Sequence, residues 1–166
     1  MKWLDASANC FCPTNYNPYN QGDIVPLGGC YRPVSISSIQ VTPTLLNRYV
    51  LAAKNCRQHH NATLAKVEDK NKAMFLSSLF PSKTKYWIGL KLINGVYQWP
   101  DGTALQSNGY QMWAPGYPNS GAGECVYMYQ YSGFSSGWFN DDCGDDQNYV
   151  CQNVPCSADN YCSTRA

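Results

Sequence analysis

At 166 residues, with 12 Lys and Arg against 11 Asp and Glu, the chain has the length of one domain with a sizeable core and a formal charge of only +1. It has no lysine–arginine run and no apolar stretch approaching twenty residues, which argues against a nucleic-acid surface and against a membrane-spanning helix. Its nine cysteines point to an oxidising compartment rather than to zinc, because there is no Cys-x2-Cys pair and His59 and His60 are adjacent.

The first residues, MKWLDASANC, hold no apolar run long enough for a signal peptide, so we expect a mature end or an expression start there. Residues 10–30 are rich in Pro, Asn and Gly and predict a stapled hairpin or loop. From Thr44, a capping residue, the apolar spacing Leu45, Leu46, Tyr49, Val50, Ala53, Cys56 predicts a helix with these residues on its buried face. His59 and His60 follow at its end, where a cation suits the negative end of the helix dipole. Asn61-Ala62-Thr63 is an N-glycosylation acceptor, in keeping with secretion.

Leu64 to Val67 reads as a short extended piece. A second helix is predicted from Glu68 or Asp69 through Ala73, Phe75, Leu76 and Leu79, stopped by Pro81. Tyr86–Leu90 and Tyr97–Trp99 read as strands, and 100–124 as a long, ordered loop. Strand alternation returns at Cys125–Tyr129, with further strands around Trp138 and over Tyr149–Gln152. Two helices followed by short strands predict an α+β domain.

Taken in order, Cys12-Pro13, Cys30-Tyr31, the helix ending at Cys56, Leu64-Ala65, Trp87-Ile-Gly-Leu90, Trp99-x-Asp-Gly102, Trp113-x-Pro-Gly116, Cys125-Val126, Cys143 and Cys151 resemble the C-type lectin-like domain in its long form. The resemblance spans residues 12–152, leaving 1–11 as an extension and 153–166 as a Cys-containing tail. It implies two helices flanking small antiparallel sheets, a long loop region, and the disulfides Cys12–Cys30, Cys56–Cys151 and Cys125–Cys143. Cys10, Cys156 and Cys162 are left over. Cys10 can pair with either tail cysteine and leave one thiol for a partner chain. Alternatively the tail cysteines pair with each other, or the ninth partner lies in a missing domain.

Sugar-binding members of that family hold a calcium ion at the end of the long loop, in a shell of carboxylate and amide oxygens completed by two sugar hydroxyls. The resemblance implies Asn119, Glu124, Asn140 and Asp141 as its ligands here. The triplet Tyr117-Pro118-Asn119 keeps the proline usually found as the cis peptide of this loop, but a phenol at 117 is a poor ligand at neutral pH. Tyr117 is instead a candidate ligand contact. Glu124 lies one residue later than the usual glutamate. Counted back from Cys143, Asn140 falls on the usual aspartate and Phe139 on the usual asparagine, unless a bulge restores the pair. A second calcium position is not expected, since Lys91, Leu92, Ile93 and Asn94 stand where it needs acids.

The expected function is therefore a secreted recognition module, binding glycans through calcium. The alternative is calcium-independent binding of protein or matrix, with the extra cysteines linking chains into an assembly. No Gly-x-Ser-x-Gly, His-Glu-x-x-His or phosphate-loop motif supports an enzyme.

Overall fold

The computed structural model describes residues 12–19, 29–35, 48–132 and 135–153. The elements run β1 (Asn17–Pro18), β2 (Cys30–Val34), α1 (Arg48–Gln58), β3 (Thr63–Leu64), α2 (Lys70–Ser78), β4 (Tyr86–Ile93), β5 (Val96–Gln98), β6 (Cys125–Ser132), β7 (Ser135–Asp141) and β8 (Asn148–Asn153). The α+β expectation holds, with one refinement: the strands form a single sheet in the order β1-β2-β8-β4-β6-β7, with β3 on β8 and β5 on β4. All pairings are antiparallel except β4 with β8, which run parallel at Tyr86↔Asn148 and Trp87↔Tyr149.

Period-two alternation in the strands divides the interior into two cores. Tyr86, Ile88 and Leu90 of β4 join Val126, Met128, Trp138 and Val150 in one, which α2 covers with Ala73 and Leu76. Trp87, Cys125, Tyr127, Tyr149 and Cys151 face the other way, where α1 covers them with Tyr49, Ala52 and Cys56. Asp69 caps α2, its carboxylate accepting from the Lys72 amide. On α1 the expectation for Val50 is corrected: it is 51% exposed, because Tyr49, Ala52 and Cys56 define the buried face and Val50 lies off it. Thr44, Leu45 and Leu46 lie outside the described residues.

The three implied disulfides are present. Cys56–Cys151 ties α1 to β8, Cys125–Cys143 closes the β6–β7 hairpin and the turn after it, and Cys12–Cys30 ties the start of the domain to β2. Cys10, Cys156 and Cys162 lie outside the described residues. Asn61 is exposed in the turn after α1.

Candidate functional site

The long loop leaves β5 and wraps Trp138. The rings of Trp99, Tyr110 and Trp113 each meet the Trp138 indole edge to face, 5.6–6.0 Å between centroids. Backbone bonds fasten the same stretch, since Trp138 N–H donates to Met112 O at 2.8 Å and Ala114 N–H donates to Trp138 O at 3.0 Å. Trp99 and Trp113 are thus packing residues, and they deliver the chain to Tyr117 at the mouth of the loop.

There the Tyr117–Pro118 peptide is cis. Beyond it the loop is held by one side chain. Asn140, 2% exposed, accepts from Asn119 N–H through Oδ1 at 2.7 Å and donates from Nδ2 to Asn119 O at 2.7 Å and to Gly123 O at 2.8 Å. Two carbonyls and one amide N–H fix which way the carboxamide faces, and both its donors are used. The exposed Asn119 side chain accepts from Gly121 N–H through Oδ1 at 3.1 Å.

The β6–β7 ladder runs in unbroken register from Cys125↔Asp141 and Val126↔Asn140 to Gln130↔Ser136. No bulge restores the displaced pair, so the count from Cys143 stands: Asn140 occupies the aspartate position and Phe139 the asparagine position. Asn140 and Asp141 point to opposite faces of β7. Asp141 accepts from the Asp142 amide at 2.9 Å and lies near Asp145, whose pKa is raised by burial and then by Asp141. Glu124 is exposed, and its main-chain carbonyl, rather than its carboxylate, is used, accepting from Leu92 N–H at 2.8 Å. The residue one earlier, where the usual glutamate falls, is Gly123, with φ +145° and a Cβ direction blocked by the backbone of Asp141.

Of the four expected ligands, then, the fold joins Asn140 to the Asn119 main chain and commits the Asn140 carboxamide to the loop itself. It sends Asp141 to the other face and leaves Glu124 on the outside. Among the described residues no three His, Cys, Asp or Glu side chains gather to hold a cation. These residues do not fit the calcium shell that the family resemblance implies.

What the position of Phe139 creates is an aromatic face, a feature the sequence reading missed. Phe139 stacks on Tyr127, with 5.2 Å between centroids and 6° between planes, and is flanked edge-on by Tyr117 at 4.7 Å, Tyr129 at 6.0 Å and Tyr131 at 6.0 Å. Gly137 gives the face its flat floor: a Cβ there would come within 3.1 Å of the Tyr131 ring and 3.0 Å of Ala114. Lys85 lies over the Tyr127 ring at 5.0 Å. Burial, together with Asp141, Tyr117, Tyr129 and Asp145, pushes the Tyr127 phenol up to about 12. Tyr131 is 41% exposed, and Tyr117, Tyr129 and Phe139 are partly exposed. The signal for this face was the alternation Tyr127, Tyr129, Tyr131; its partner Phe139 required the register.

This combination of stapled sheet, wrapped tryptophan and long loop is the C-type lectin fold. The lectin C-type domain family matches residues 47–153, and the chain belongs to that family. Among curated relatives it is 28% identical over 149 residues to lectin BRA-3 of Megabalanus rosa, covering 88% of this chain and 81% of that one. It is also 28% identical over 113 residues to E-selectin of Oryctolagus cuniculus, covering 66% of this chain. It spans only 18–28% of the length of the selectins it matches first. A calcium-independent type II antifreeze protein of known structure shares the fold, with a TM-score of 0.66 at 19% identity, over 89% of this chain and 97% of that one.

Proposed function

We propose that this domain is a secreted recognition module that engages an extracellular protein ligand through the aromatic face of the β6–β7 hairpin, without calcium. The observation that carries the reading is the aromatic cluster: Phe139, at the position where the resemblance puts an asparagine ligand, packs against Tyr117. Partly exposed tyrosines in a row supply rigid apolar area with a hydroxyl at the rim, the combination that anchors protein–protein contacts. Lys85, Asp141 and Asp145 all lie near Tyr127 and give the face a charged border. Three disulfides suit an oxidising compartment.

A second reading, a glycan stacked on the same rings, is favoured by the similarity to a protein named a lectin over most of the chain. Panels of extracellular proteins and of glycans, probed with the domain in chelator and again in calcium, separate the two. The proposal expects binding in chelator to a protein that Tyr131→Ala and Phe139→Ala weaken. Glycan binding in chelator, weakened by the same variants, selects the second reading. Binding that appears only with added calcium overturns both.

A further inference from the structure

We propose that Asn140 takes over, in this chain, the structural role of a bound cation: its carboxamide sets the path of the long loop and so positions Tyr117 on the aromatic face. The inference concerns the loop's own architecture and stands or falls apart from the identity of any ligand. Asn140 is fixed first by the sheet, opposite Val126 in the β6–β7 ladder. From there its three hydrogen bonds reach 21 residues back to Asn119 and 17 back to Gly123, clamping both ends of the turn between them. Inside the clamp, Ala122 N–H donates to Asn119 O at 3.0 Å, and Gly121 N–H donates to Asn119 Oδ1 at 3.1 Å. Just outside it, Tyr117 N–H donates to Ala114 O at 2.9 Å and Leu92 N–H to Glu124 O at 2.8 Å. Every strut in this list is a protein group, and the central one is buried, where its bonds face little competition from water.

Gly123 makes the arrangement exclusive. At φ +145°, with the Asp141 backbone in the way of a Cβ, the loop follows a path that admits no side chain at this position. A carboxylate ligand therefore cannot be supplied there while the Asn140 clamp is closed. The two ways of holding the loop, by amide or by cation, compete for the same space.

Amide hydrogen exchange tests this directly. In the wild-type domain, Asn119, Gly121 and Ala122 are expected to exchange at the same slow rate in chelator and in millimolar calcium. Asn140→Asp keeps the size of the side chain but replaces two donors with an anion facing two carbonyls. It is expected to speed exchange at these three amides by roughly tenfold or more, while the amides of β4 and β8 stay as in wild type. Calcium-induced protection of the wild-type loop, which needs no variant to detect, would overturn the inference. Wild-type protection retained in Asn140→Asp would do the same. Tyr131→Ala serves as the control, expected to leave loop exchange unchanged.

Discussion

Phe139 and Tyr127 face each other across the β6–β7 ladder as a cross-strand pair, with their rings 6° from parallel. The pair closes the end of the core that α1 covers and opens the face that Tyr129 and Tyr131 continue. Phe139→Ala is expected to destabilise the domain by about 1–3 kcal/mol, less than loss of a fully buried ring, since Phe139 is only partly buried. Chemical denaturation measures this, and near-ultraviolet dichroism should report the loss of the stacked tyrosine.

The disulfides differ in what they restrain. Cys56–Cys151 closes 95 residues and Cys125–Cys143 closes 18. In the chain-entropy account, replacing the first pair by alanines costs about 1–1.5 kcal/mol more than replacing the second. Equilibrium unfolding of the two double variants supplies the comparison.

Gly123→Ala should be among the costliest single changes at the surface. It forces a side chain into the Asp141 backbone at a φ that only glycine adopts readily. We expect a loss of roughly 2 kcal/mol or more. Gly123→Glu, which restores the family's carboxylate to its usual place, should be destabilised likewise and should not gain calcium binding. Thermal unfolding with and without calcium checks both statements.

Acid should weaken the tether between the segment after β3 and the start of the long loop. Burial works to raise the pKa of Asp101, but hydrogen bonds from Lys66 and Thr103 outweigh it and hold the carboxyl at about 2. A depressed folded pKa means the contribution is present above the unfolded value, near 3.8, and is lost as pH falls towards about 2. The Asp101 side chain is 50% exposed, so the effect is small. Asp101→Asn should flatten the stability curve in that window alone, as followed by denaturation at a series of pH values.

The fold was legible in the sequence because its markers are local. The cysteines, the start of α2 near Glu68 or Asp69 and the Trp-Ile-Gly-Leu strand each declare themselves within a few residues. Val50 was misplaced because the reading counted it into the α1 apolar stripe, whereas Tyr49, Ala52 and Cys56 set the face that the sheet covers. The site was less legible for a different reason. Whether Asn140 or Asp141 faces the loop depends on a one-residue choice of register, and a slip of one exchanges the two faces of a strand. Counting from Cys143 gave the right register only on the assumption of an unbroken ladder. The Asn140 bonds to Asn119 and Gly123 join segments about twenty residues apart and carry no local pattern at all.

Calorimetric titration with calcium tests the central claim most directly. With the Asn140 amide engaged, Gly123 in place of a carboxylate and Phe139 in place of an amide, the domain is predicted to give no binding heat at millimolar calcium and the same thermal midpoint in chelator. One calcium ion bound per chain, with the binding lost in Asn119→Ala or Asp141→Ala, would contradict it.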